Sequence, residues 1–187
     1  MTALQNLILF CSKKWWAFAL ITLVFGISLV LLMRLGDTFA SLTNGHPPFD
    51  TQNNLTVQDI ARQLSEYTPA SYSAYWKFTA NDFLFPFAGG LFTASILTFA
   101  LRRLLPAAHE WMSARQLLPL FLLPTFFDWL ENISIITMLT GQANTASAIL
   151  FFKGLKLTTL TLSQTLMVLA LFGVGLQWVT QRFRKNS

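Results

Sequence analysis

Four runs of apolar residues dominate the chain, three of them about 20 residues long, the length a helix needs to cross the hydrocarbon core of a bilayer, and the fourth longer than one span needs. They cover about residues 15–33, 83–101, 117–139 and 146–179. Together they predict an all-α integral membrane fold: a four-transmembrane-helix bundle, with residues 1–187 forming a single membrane domain. The first run follows Lys13 and Lys14, as the apolar part of a signal peptide would. It exceeds the usual roughly 7–15 residues of such a segment and ends without an A-x-A cleavage site, so it reads as an uncleaved anchor.

The polar stretch between the first two runs, about residues 36–81, is expected to form the outer loop. Asn44-Gly45 and Pro47-Pro48 read as turns. From Thr56 to Tyr67 the pattern turns helical: Thr56 is a candidate N-cap, and Val57, Ile60, Ala61 and Leu64 repeat on one face of a short amphipathic helix that Pro69 ends. Tyr72, Tyr75, Trp76 and Phe78 are then expected to lie on the outer membrane surface. The loop suits a plug packed over the bundle, or alternatively a lid or partner-binding surface.

Composition strengthens the membrane reading. The chain is 53% hydrophobic and 14% aromatic, with a mean hydropathy of +0.50, and only 11% of it is charged, against about 25% in soluble domains. The net charge of +5 raises nucleic acid as a partner. The placement of the cations argues for topogenic signals instead, and no nucleic acid is expected. Lys13 and Lys14 precede the first run, Arg102, Arg103 and Arg115 lie between the second and third, and Arg182, Arg184 and Lys185 follow the fourth. With four spans all three clusters share one side, and the opposite side holds Arg34, Arg62 and Lys77 against Asp37, Asp50, Asp59 and Glu66. The positive-inside rule then makes both termini cytoplasmic, in a bacterial inner (cytoplasmic) membrane. Trp15, Trp16, Trp111 and Trp178 sit near that boundary, as an aromatic belt would. Cys11 is the lone cysteine, and the two histidines, His46 and His109, fall in expected loops. No disulfide, metal site or cofactor is implied.

The candidate chemistry lies in the third and fourth runs. Asp128 and Glu131 are three apart and Asn132 adjoins them, so the three share a helix face. An unpaired charge in mid-membrane costs about 2.5–3.5 kcal/mol on insertion scales, so the acids need partners. Lys153 and Lys156 are also three apart. Folding the chain back at the turn around Gly141 to Asn144 brings Glu131 level with Lys153 and Asp128 with Lys156. Thr158, Thr161, Gln164 and Thr165 would extend the polar stripe. In the alternative arrangement the lysines snorkel to the surface, and the acids either find other partners in Trp129 and Asn132 or are protonated. Asp82 opens the second run, either as a helix N-cap or as a further member of this polar cluster. Pro86 predicts a kink there, Gly89 and Gly90 a close helix approach, and Pro119 and Pro124 a bend before Asp128.

The combination of Asp82 and Pro86 with D-x-x-E-N at Asp128, Glu131 and Asn132, preceded by a short amphipathic helix, resembles small uncharacterised bacterial four-helix inner-membrane proteins. That resemblance implies an inner-membrane location and supplies no reaction. Phe78-Thr79-Ala80-Asn81-Asp82 is faintly similar to the F-N-x-A-D of lipoprotein signal peptidases, but the Asn is displaced and the motif stands at the wrong helix, so that family is rejected. Three functions follow as expectations. The leading one is a lipid or small amphiphile bound at the outer-leaflet polar cluster. The alternatives are a membrane-embedded enzyme using Asp128 or Glu131 as acid/base, and a scaffold or accessory subunit of a membrane complex. Homo-oligomerisation is compatible with each.

Overall fold

The computed structural model of the chain describes residues 3–186, with the side chains of Lys185 and Asn186 outside the described part. Every regular element among the described residues is helical. The α-helices are α1 (Ala3–Lys13), α2 (Trp15–Ser41), α3 (Val57–Ser65), α4 (Pro69–Leu104), α5 (Pro106–Ala114), α6 (Leu123–Leu139) and α7 (Ala146–Asn186), with 3-10 turns at Phe49–Thr51 and Leu118–Leu122. Four stretches are long and apolar enough to cross a membrane: Trp15–Ser41, Pro69–Leu104, Leu118–Leu139 and Ala146–Arg184. Many of their large apolar side chains are exposed, Leu23, Val168, Leu169 and Phe172 among them. A surface of that kind suits lipid rather than water.

The helices outrun the apolar runs. At 1.5 Å per residue, the 36 residues of α4 and the 41 of α7 reach about 54 and 60 Å, well beyond a bilayer core of about 30 Å. The expected loop over residues 36–81 therefore shrinks to residues 42–68, because both flanking helices continue into it. Pro69 shows why. It follows α3, as expected, but it stands at the first position of α4, where its missing N–H and fixed φ cost nothing. Thr68 caps that helix in a reciprocal box with Ser71. Thr56 does the same for α3 with Asp59.

The aromatic segment after Pro69 accordingly does not lie on a surface as a loop. It is the first part of α4, and Tyr75 and Phe78 are buried. Residues 42–68 fold over one end of the bundle as a cap. Its core joins Phe39 from α2, Phe49, Ile60 from α3, Tyr75 from α4, Ile135 and Met138 from α6, and Ile149 from α7. Tyr75 packs edge-on against Phe39 at 4.9 Å, and its hydroxyl accepts from the Phe49 N–H at 2.9 Å. The chain termini lie at the opposite end, where Ile8 of α1 packs with Leu91, Leu118 and Leu122.

Two local features set the site. The turn after α6 ends on Gly141, at a φ of +70° that favours glycine. The Thr145 hydroxyl then donates to Ser134 O at 2.6 Å, fastening α7 against α6 as an antiparallel hairpin. Pro86 interrupts α4 from within. It has no N–H to offer the carbonyl four residues back, and side chains of α6 supply donors instead. Asn132 Nδ2 donates to Asp82 O at 3.2 Å, Trp129 Nε1 to Phe83 O at 3.0 Å and the Thr125 hydroxyl to Pro86 O at 2.7 Å. The third apolar stretch is itself divided, with Pro119 inside the Leu118–Leu122 3-10 turn and Pro124 in the first turn of α6.

A buried acid–lysine cluster beside a bundle cavity

The α6/α7 hairpin brings the two acids and the two lysines together. Lys156 Nζ stands 3.1 Å from Asp128 Oδ1 and 2.5 Å from Glu131 Oε2, so a single ammonium bridges both carboxylates. Lys153 is 3.7 Å from Glu131 Oε1. Its shorter contacts are with the cap, where Nζ donates to Phe49 O and Gln52 O, both at 2.6 Å. Glu131 is fully buried, and Lys153 only 4% exposed. At that depth the cap carbonyls take the place of water for Lys153.

Asp82 and Asn132 join the cluster in a different way from that expected. Asp82 lies well inside α4, not at its N-cap, because Thr68 and Pro69 start the helix more than three turns earlier. Its side chain is 3% exposed, and Oδ2 has no hydrogen-bond partner among the described residues. Asn132 holds the Asp82 carbonyl rather than an acid of its own helix. The stripe expected on α7 is shorter than its sequence suggests. The Thr158 and Thr165 hydroxyls turn back onto the carbonyls of Gly154 and Thr161 in their own helix, and Thr161 is exposed.

Two participants carried no signal in the apolar pattern. Gln52 pairs reciprocally with Gln63 of α3, at 2.9 and 3.1 Å, and so ties α3 to the segment that Lys153 holds. Asp50 belongs to the 3-10 turn of the cap, and its Oδ1 is buried without a hydrogen-bond partner among the described residues. Burial pushes the Asp50 carboxyl up to about 7, with Lys156 opposing the rise and Glu131 and Asp128 adding to it. Its unperturbed value is about 3.9, so the folded chain binds this proton more tightly than the unfolded one. The resulting stabilisation is complete below about pH 4 and is lost as pH rises towards 7. Opening of the cap, followed by hydrogen exchange over residues 42–68, should therefore increase between about pH 5 and pH 8. Asp50→Asn should flatten the profile. An equally steep profile in that variant would show that another group titrates.

A cavity of about 140 Å³ runs between the helices from this cluster. Asp128 and Lys156 form its charged end, Phe25, Phe85 and Phe121 wall it, and Ser163 and Gln164 of α7 offer polar groups further along. Neither His46 nor His109 lines it. Among the described residues no three His, Cys, Asp or Glu side chains are grouped so as to hold a metal ion.

No family model, curated protein or solved structure matches the chain.

What the site can do therefore follows from its own geometry. Asp50, Asp82, Asp128 and Glu131 face two ammonium groups, so full ionisation would leave two buried negative charges uncompensated. Such charges are costly unless paired, and a proton or a cationic group has to make up the difference. Lys156 is committed to two carboxylates at once. Asp128 touches both that lysine and the cavity.

Proposed function

We propose that the four long helices cross a bacterial inner membrane as a bundle, with both termini in the cytoplasm and the cap, including the short amphipathic α3, on the outer side. The charge distribution supports this orientation. Lys13, Lys14, Arg102, Arg103, Arg115, Arg182 and Arg184 belong with the lone acid Glu110 to the end that holds α1 and the last turns of α7, whereas the cap end holds Asp37, Asp50, Asp59 and Glu66 against Arg34, Arg62 and Lys77.

Within that frame, the protein binds a lipid or small amphiphile at the bundle cavity, whose volume of about 140 Å³ takes part of such a molecule and leaves the rest among the surrounding acyl chains. The observation that carries this reading is the cavity's two-sided chemistry, with the Asp128 and Lys156 ion pair at one end and phenyl rings along its wall. Pockets for small molecules combine an apolar lining with a few placed polar groups in this way. The polar head would meet Asp128 and Lys156, and the apolar part would lie along Phe25 and Phe121.

Native mass spectrometry of protein purified in mild detergent tests this directly. The wild-type chain should retain an amphiphile. Asp128→Asn should retain about tenfold less, equivalent to about 1.4 kcal/mol, while the exposed Thr158→Ala keeps it. Wild-type protein that carries no amphiphile, or Asp128→Asn protein that carries as much, would overturn the reading.

A membrane-embedded enzyme is the second reading, and one observation favours it: Asp128 stands in the cavity wall, where a general acid or base would be needed. The bridging of both carboxylates by Lys156 weighs against it, since an acid or base so held has to break its ion pair before it reaches a substrate.

A further inference from the structure

We infer that the termini end of the bundle carries a separate site for one anionic phospholipid, set in the groove between α4, α7 and the α1/α2 junction. The inference rests on the reading of the four long helices as membrane spans, and not on the cavity beside Asp128.

Two adjoining cavities make up the groove, and Phe99 borders both. The first, about 480 Å³, is apolar along Phe18, Ile96, Phe99 and Leu171, with Lys13 and Lys14 at its rim. The second, about 470 Å³, is polar and is formed by Arg102 and Arg103 of α4 with Gln177 and Gln181 of α7. An acyl chain fits the first, and a headgroup the second. Each volume lies in the range of small-molecule sites, roughly 300–1,000 Å³.

The charge of the groove selects the headgroup. Four cations border it, and the sole acidic residue at this end, Glu110 on α5, lines neither part. Basic pockets between helices at the cytoplasmic boundary hold anionic headgroups, at about 1 kcal/mol for each nearby Lys or Arg. Arg102 is fixed in place, its Nη2 donating to Ser12 O at 3.1 Å, which leaves the rest of its guanidinium fork for a phosphate. Gln177 and Gln181 add side-chain amides to the headgroup part, which pair with hydroxyl groups on a ligand. A phosphodiester carrying hydroxyl groups, as in phosphatidylglycerol, satisfies both the cations and the glutamines, whereas phosphatidylcholine offers no net negative charge and no hydroxyl.

The test is native mass spectrometry of the delipidated full chain, titrated with phosphatidylglycerol or with phosphatidylcholine of the same acyl chains. Flotation with vesicles is run first, so that a failure to insert, which would overturn the membrane reading itself, is told apart from a failure of this site. One phosphatidylglycerol should bind at least about tenfold more tightly than phosphatidylcholine. Arg103→Gln combined with Lys14→Gln should erase the preference, and so should Leu171→Trp, which fills the apolar part without altering charge. Arg182→Gln with Arg184→Gln removes the same charge outside the groove and should leave the preference intact. Equal binding of the two lipids would overturn the site, as would equal losses in the two charge variants, because the general field of this end would then account for the effect.

Discussion

Lys156→Met should cost about 3–5 kcal/mol of stability, the usual scale for removing one partner from a buried ion pair. One ammonium serves both Asp128 and Glu131, so its loss leaves two carboxylates facing each other with Lys153 as the remaining cation nearby. Methionine matches the length of the lysine stem, which keeps the packing change small and isolates the charge. The measurement is unfolding in mixed micelles at pH 7, where unpaired carboxylates would be costliest. Glu131→Gln in the same chain should recover much of the loss, since it removes one of the two stranded charges. Lys153→Met provides a contrast. Its ammonium holds Phe49 O and Gln52 O, so its removal should loosen the cap before it unfolds the bundle. If Lys156→Met unfolds no more easily than the exposed Thr158→Ala, the bridge between the acids does not exist in the membrane.

Gly90→Ala should destabilise the chain by about 1–3 kcal/mol through overpacking, despite alanine's advantage of roughly 1 kcal/mol as a helix former. A Cβ on Gly90 would overlap Thr125 Oγ1 and would approach Leu122 Cδ2 to 3.0 Å. Thr125 cannot swing aside freely, because its hydroxyl is bonded to Pro86 O at 2.7 Å. Either α4 and α6 separate or the bond breaks, and both would disturb the wall of the cavity beside Asp128. Gly89→Ala is the control on the neighbouring face. There the new Cβ would meet the edge of the Phe25 ring at 2.8 Å, a contact with no hydrogen bond to break. Its helix-propensity gain should nearly cancel that cost. Equal stability of the two variants, measured by the same unfolding assay, would count against the close α4/α6 approach.

The two predictions differ in how far their causes could be read from sequence. The α6/α7 arrangement was legible because its determinants are local. Asp128 and Glu131 share a face by helical spacing, as do Lys153 and Lys156, and a short turn at Gly141 leaves little freedom in how the two helices align. Gly89 and Gly90 were equally visible as a place for a close approach. Their division of labour was not, since only the packed helices show Gly90 against Thr125 and Gly89 against Phe25. Sequence proximity offers Trp129 as a partner for the acids. It donates instead to Phe83 O, a carbonyl in the turn of α4 just before Pro86. That role depends on two helices meeting, and no spacing within either one specifies it.

The sequence by itself determined the short helix after Thr56, the four stretches apolar enough to cross a membrane, and which residues share a face, whereas α1, α5 and the start of α4 at Pro69 were not among its expectations. These properties depend on neighbours within a turn or two, where periodicity, caps and turn residues act directly. The tertiary structure alone decided that the polar segment after α2 folds back as a cap, that Asp50 enters the acid cluster, and that Lys153 spends its ammonium on two cap carbonyls. Phe49 and Lys153 lie 104 residues apart. What joins them is the need to satisfy a buried charge and a set of buried carbonyls at the same point in space, a condition that exists only once the helices have packed.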